Sequence, residues 1–348
     1  MTSSAKASLI VRSVGRPELA EALASAGAQV HPHLEVIVVD ATGGRHPPVP
    51  CQTGPHPIVF IPGVAPLRRP AAANAGLDAA RGDYIGFLDD DDTLLPGHVA
   101  GLADLLDAAP EVGLAFSLAR EIRPDGRVLL VGDARISRLT LLESCHFPPC
   151  AALFRRTIAT RCRFDESLDS AEDWDFWIQA SRVARFRLVR QETAIYRADL
   201  GRSAMTAGEP VAAQLWRDRV YGKWAKERDT LRQDVERMFE QALRAFESGD
   251  RTATATLTDA VLDGYPFHVG ALNLRGSLRA MAGDFEAARS DFALASEVAP
   301  DDPASTFNHA QALEQLGRVA EAAMLYRRVL VTDAGHAQAR TRLEALSG

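Results

Sequence analysis

Two hydrophobic rhythms divide this chain, and each admits few architectures. Up to about residue 200, short apolar runs alternate with helical segments. Ser8–Ser13 (SLIVRS), Glu35–Asp40 (EVIVVD), Ile58–Ile61, Asp83–Leu88 (DYIGFL) and Val112–Ser117 read as strands. Pro17–Ala26, Ala71–Ala80 and Gly97–Ala109 between them read as helices. Such alternation predicts an α/β domain with a mostly parallel sheet, and ligands of such sheets bind beyond the carboxyl ends of the strands. After about residue 230 the spacing changes to a step of 34: Gly249, Gly283 and Gly317; Ala242, Gly276 and Ala310; Pro266 and Pro300; Ala288 and Ala322; Phe292 and Tyr326. Small residues let paired helices approach, aromatics fill between them, glycine turns the chain and proline stops a helix. The boundaries expected are a first domain over 1–205, a helical connector over 206–234 with Trp216, Val220 and Trp224 on one face, and a repeat domain over 235–348.

The 34-residue step with these residue types resembles the tetratricopeptide repeat, and three copies fit. In the first copy Thr254 and Thr258 stand at the alanine and aromatic positions, as in a divergent terminal repeat.

Composition narrows the function classes. The 348 residues are 47% hydrophobic and 24% charged, ordinary for a globular protein. Net charge is -7 and no lysine/arginine block occurs, so nucleic acid is not an expected partner. Cys51, Cys145, Cys150 and Cys162 show no C-x-x-C spacing, which argues against a zinc site or a disulfide framework. His31, His33, His46 and His56 fall in polar, proline-rich stretches and read as exposed. There is no G-x-G-x-x-G or G-x-x-x-x-G-K loop. The apolar run of the opening MTSSAKASLIVRS is too short for a signal peptide and is closed by Arg12. No stretch nears the ~20 apolar residues of a membrane span. A cytoplasmic location is expected, at most peripheral at the inner membrane face.

The most informative segment is Arg69–Asp92 (RPAAANAGLDAARGDYIGFLDDDD), which sets Asp89, Asp90, Asp91 and Asp92 just past a buried strand. A bland reading makes this a solvated loop, with Asp92 or Thr93 capping the next helix. The competing reading starts from cost: four adjacent carboxylates repel, and a hard divalent cation such as Mg²⁺ or Mn²⁺ relieves the repulsion. Ser170-Ala171-Glu172-Asp173 likewise fits a helix capping box, with Trp174, Trp177 and Ile178 facing a core.

Five stretches in order resemble family 2 glycosyltransferases of GT-A fold: SLIVRSVGRPELAEAL, EVIVVDATGG, the acidic tetrad, AEDWDFW and AIYRADLGRSAM. The resemblance covers about residues 7–205. It implies a Rossmann-like GT-A nucleotide-diphospho-sugar transferase domain ahead of an all-α tetratricopeptide-repeat solenoid. By that resemblance Ser13, Asp40, Arg69, Asn74, Asp89 and Asp90 would bind the nucleotide sugar, and Asp89 and Asp91 would serve the metal. Asp173 would be the general base, with Glu172 as its neighbour. The implied cofactor is Mn²⁺ or Mg²⁺, the donor a nucleoside-diphosphate sugar, and the acceptor a glycan, a lipid-linked species or a protein; the repeats would bind acceptor or a protein partner.

Three departures qualify the match. The family's A-R-N reads Ala72-Ala73-Asn74, so its arginine is missing and Arg68 or Arg69 is the candidate substitute. V-V-D-D-G-S reads Val38-Val39-Asp40-Ala41-Thr42-Gly43, without the second acid. Tyr196-Arg197-Ala198-Asp199 carries aspartate where histidine is common; Asp199 is able to ligate metal but would repel phosphate. An inverting, metal-dependent transferase is therefore weighed against an inactive transferase-like scaffold and against a nucleotidyltransferase, which would release pyrophosphate instead.

Overall fold

A computed structural model describes residues 5–133, 135–198 and 210–347. The chain divides into two compact units, 1–225 and 226–348. No helix among the described residues is long and apolar enough to cross a membrane.

The first unit is one ten-stranded sheet with flanking helices. Its strands are β1 (Ala7–Ser13), β2 (Leu34–Asp40), β3 (Gln52–Thr53), β4 (His56–Ile61), β5 (Tyr84–Asp89), β6 (Thr93–Leu94), β7 (Val112–Ile122), β8 (Val128–Val131), β9 (Ala152–Arg155) and β10 (Arg185–Arg197). Its helices are α1 (Leu19–Gly27), α2 (Arg69–Ala79), α3 (His98–Ala108), α4 (Arg138–Glu143), α5 (Arg156–Ala159), α6 (Glu172–Ser181) and α7 (Pro210–Lys223). The strand order is β3-β4-β2-β1-β5-β9-β7-β10-β6, with β8 paired to β7.

The sheet is mixed rather than mostly parallel. β4, β2, β1 and β5 run parallel, as the strand–helix alternation predicts. Beyond them β9 pairs antiparallel with both β5 and β7. That short strand is a four-residue run whose partners lie on either side.

β1 and β2 are buried along their whole length, as expected of strands covered on both faces. Helix α2 lies tightly on β1 because residue 76 is glycine: a Cβ there would sit 2.3 Å from Ile10 Cγ2. An aromatic ladder anchors α6. Phe164 stacks on Phe176 at 4.3 Å, and Phe154 and Phe147 pack on Trp177. Phe176 and Trp177 are fully buried, and burying such a side chain is worth about 1.5–3 kcal/mol. From the other side Trp224 Nε1 donates to the fully buried Asp175 at 2.7 Å, and Lys223 Nζ pairs with the same carboxylate at 2.9 Å.

Two histidines expected at the surface are inside. His31 and His56 are buried, each with Nε2 on a backbone carbonyl, of Ala5 and Gln29 respectively. Loop carbonyls taken out of water need partners, and imidazole supplies them.

The second unit is helical: α8 (Ala225–Glu247), α9 (Arg251–Gly264), α10 (Val269–Met281), α11 (Phe285–Val298), α12 (Pro303–Gln315), α13 (Val319–Thr332) and α14 (Ala337–Ser347). The 34-residue step is structural. Gly249, Gly283 and Gly317 each turn the chain between helices with φ of 78°, 82° and 73°. Asp250 and Asp284 cap α9 and α11, accepting from Ala253 and Ala287 N–H. Ala242, Ala288, Ala310 and Ala322 are fully buried, and so are Phe292 and Tyr326 nearly to the last atom.

Candidate active site

β1, β2 and β5 end side by side, and their register pairs Ser13 with Asp40 and Arg12 with Asp89. The sequence-predicted acids therefore gather at one end of the parallel strands, where open α/β sheets bind ligands. Here two openings meet. A small void of about 40 Å³ is lined by Arg12, Ser13, Arg16, Arg69, Asp89 and Asp90 among others. A cleft of about 470 Å³ shares Arg12, Arg69 and Asp89 with it and continues to Glu172, Asp173, Tyr196 and His146.

Arg12 is the centre of this arrangement. Its Nε and Nη2 grip both oxygens of Asp89 at 2.7 and 2.8 Å, and its Nη1 donates to Glu172 at 3.0 Å. The guanidinium also lies over the Phe87 ring. Burial alone would lower the Arg12 pKa, but Asp89 and Glu172 raise it, so the charge is permanent. Sequence reasoning treated Arg12 only as the end of an apolar run. The signal was there: a single charge within a buried strand is costly unless an acid meets it.

The four adjacent aspartates face different partners. Asp89 is disfavoured as an anion by burial, yet Arg12 and Arg69 hold its pKa below the ordinary carboxylate value. Asp90 turns back to β1 and accepts from Val14 N–H at 2.8 Å and Ser13 Oγ at 3.1 Å. Asp91 pairs with Arg16. Asp92 is buried and accepts from Arg197 N–H at 2.9 Å. Burial and the Asp89 charge push Asp91 up to about 6 and Asp92 well above its usual range. Neither Asp92 nor Thr93 caps the following helix, because α3 begins after Gly97 and residues 93–94 form a strand instead.

Asp89, Asp91 and Asp92 each offer one carboxylate oxygen within 4.8 Å of the others. Three converging carboxylate oxygens are the donor set that Mg²⁺ or Mn²⁺ prefers, so the residues fit a divalent cation. The composition of the group differs from the expected one, with Asp92 joining Asp89 and Asp91. Asp199 lies outside the described residues.

Glu172 and Asp173 open α6 and both line the cleft. Ser170 makes no capping hydrogen bond; Ala171 precedes the helix with φ 58° and ψ 20°. It is the one non-glycine residue with positive φ among those described. This left-handed turn aims Glu172 at Arg12 and leaves Asp173 facing the cleft. Burial, then the neighbouring Glu172 charge, push Asp173 up to about 6. A left-handed alanine costs about 1–2 kcal/mol. Ala171→Gly should therefore leave stability unchanged or raise it by up to ~1 kcal/mol, whereas Ala171→Val should lower it by more than ~1 kcal/mol and pull Glu172 off Arg12. Urea unfolding of the three proteins checks this; equal midpoints for glycine and valine would show the turn to be unimportant.

Two residues expected at the nucleotide, Asn74 and Asp40, line neither opening. The Asn74 amide pairs with the backbone of Phe164, donating to the carbonyl and accepting from the N–H, both at 3.0 Å. Asp40 accepts from Thr42 N–H, Thr42 Oγ1, Gly44 N–H and Gly63 N–H. Burial opposes the charge, but these four bonds hold the Asp40 pKa below its usual value and occupy a carboxylate's acceptor sites. Ser13 lies at the void and accepts from Gly15 N–H. The two candidate arginines separate: Arg69 lines both openings, while Arg68 points outward to Asp169.

Comparison with known proteins agrees with this geometry. Residues 8–162 match the profile of glycosyl transferase family 2. An uncharacterized glycosyltransferase of Bacillus subtilis, YwdF, is 29% identical over 55% of this chain and 74% of its own length. The succinoglycan biosynthesis protein ExoO of Rhizobium meliloti is 32% identical over 45% of this chain, which spans only 49% of that protein. Among solved structures, S. aureus TarS 1-349 in complex with UDP-GlcNAc is 16% identical, with a TM-score of 0.48 over 92% of this chain and 91% of that one. Residues 8–162 of the chain thus match glycosyl transferase family 2, in line with a glycosyltransferase activity.

Proposed function

We propose that the protein moves a sugar from a nucleoside diphosphate to an acceptor hydroxyl with inversion at the anomeric carbon. The observation that carries this reading is that one cleft of about 470 Å³ is lined by Arg69, Asp89 and Asp173 together. The donor diphosphate lies at the strand ends among Arg12, Arg16 and Arg69, which line the small void. The acceptor enters from the side of Tyr196 and His146. Its hydroxyl oxygen attacks the anomeric carbon as the bond to the diphosphate oxygen breaks and leaves with its electron pair. Asp173 takes the hydroxyl proton. Arg12 holds Asp89 and Glu172 in place and keeps the second carboxylate of α6 from competing for that proton. A Mn²⁺ or Mg²⁺ ion held by Asp89, Asp91 and Asp92 would offset charge on the departing diphosphate. Asp40 supports this site by shaping the 42–44 turn. The 34-residue helical repeats, as in solenoids of stacked helix pairs, offer an extended surface for acceptor or a protein partner.

The test is thermal stability against a panel of nucleoside diphosphates and nucleotide sugars, with and without Mn²⁺. A ligand at 100 times its dissociation constant adds about 2.7 kcal/mol. One base should give a shift that needs the metal, and Asp91→Asn should remove the metal-dependent part while leaving the unliganded melting point within a few degrees. A folded protein that no nucleotide stabilises would favour the inactive scaffold, a reading that rests on the filled acceptor sites of Asp40.

A further inference from the structure

Arg16 occupies an unusual place in this site. It stands in the turn between β1 and α1, and its Nη1 lies 3.3 Å from Asp90 and is paired with Asp91. Only 14% of its side chain is exposed. Asp91 is one of the three acids whose oxygens converge. A guanidinium and a divalent cation on one carboxylate repel each other strongly at such range, with little water between them to screen the charges. Arg12 is fixed on Asp89 and its charge stays beside any bound cation, so relief of the repulsion falls to movement of Arg16.

The three arginines at the void are not equivalent. Arg12 is committed through three nitrogens to Asp89 and Glu172, on two different secondary-structure elements, so moving it would strand two buried acids. Arg69 starts a helix that Gly76 clamps onto β1. Arg16 belongs to a turn, pairs through Nη1 with Asp90 and Asp91, and borders the void proposed for the diphosphate.

We propose that Arg16 is an exchangeable counter-ion for Asp91. Without ligands it neutralises the acid that a divalent cation needs; when the cation takes Asp91, the guanidinium turns to the donor diphosphate. The inference rests on the transferase reading above and concerns how its site is filled. Each partner then helps the other: the metal frees a cation for the diphosphate, and the diphosphate draws that cation away from the metal's ligand. By linkage the two effects are equal. Metal alone meets an occupied carboxylate and binds weakly.

The experiment measures Mn²⁺ binding to the full chain without nucleotide, from the free-ion electron paramagnetic resonance signal. Arg16→Gln should bind Mn²⁺ at least tenfold more tightly than the natural protein. Arg16→Lys, which keeps the charge without the planar fork, should gain less. Adding Asp91→Asn to Arg16→Gln should abolish the gain. With Mn²⁺ saturating, uridine diphosphate or guanosine diphosphate, whichever the panel selects, should bind several-fold more weakly to Arg16→Gln. Equal or weaker Mn²⁺ binding by a folded Arg16→Gln would overturn the exchange and make Arg16 a fixed partner of the tetrad. If that variant does not fold, the lysine variant decides: affinity no higher than natural overturns the proposal. A nucleotide-sugar shift that persists alongside such a failure leaves the transferase reading standing; a Mn²⁺ gain with no nucleotide stabilising the protein would sink that reading alone.

Discussion

Arg12→Ala should destabilise the first unit by about 3–5 kcal/mol and eliminate transfer. Removing one partner of a buried ion pair costs that much because the other charge stays behind without compensation. Here two acids are left: Glu172, 2% exposed, and Asp89, whose two oxygens lose both N–H donors. Arg12→Lys should recover part of the loss, since an ammonium supplies charge but not a fork that reaches two carboxylates at once. The chain has two units, so denaturant unfolding should show the first transition moving and the second staying in place. A shift below ~1 kcal/mol for the alanine variant would mean that water, not Arg12, satisfies these acids.

Asp173→Asn should keep donor binding and lower the transfer rate by about 10²–10⁴-fold, the usual worth of a general base. The carboxylate accepts one hydrogen bond from the Trp174 N–H, which the amide oxygen of asparagine also accepts, so the fold survives the change. The raised pKa fixes the direction of the pH dependence. A base works deprotonated; with its pKa pushed up to about 6, activity should fall about tenfold per unit below that pH and level off above it. Asp91 titrates in the same window, so donor affinity, measured separately, should also weaken in acid. Near-natural turnover by the asparagine variant would remove Asp173 from the base role.

Much of this was legible from residue patterns because the physics behind it is local. Buried strands announce themselves as apolar runs, and β1, β2 and β5 are such runs with acids or serine at their ends. A glycine every 34 residues is legible because the turn it makes requires positive φ, which Gly249, Gly283 and Gly317 all adopt. What stayed hidden depends on pairing across the chain. Asn74 looks like a nucleotide contact until Phe164, 90 residues on, is seen to take its amide. Asp40 looks available until the Thr42, Gly44 and Gly63 donors are counted. Arg12 lacks a role until Glu172 arrives beside it. The antiparallel insertion of β9 follows from no local signal, since so short a run as ALFR pairs equally well in either sense.

The Arg12–Glu172 contact joins residues 160 positions apart, and that span sets a schedule for biosynthesis. At roughly 5–20 residues per second, about ten to thirty seconds separate the emergence of the first strand from that of its last counter-charge. Throughout that interval the guanidinium cannot be sealed into the sheet with its full complement of acids. The buried arginine thus acquires its second acid only when α6 leaves the ribosome, and the same segment delivers Asp173. Cutting the gene at residue 162, where the family profile stops, would keep the acidic tetrad but remove Glu172 and Asp173, leaving Arg12 with Asp89 and without its second acid.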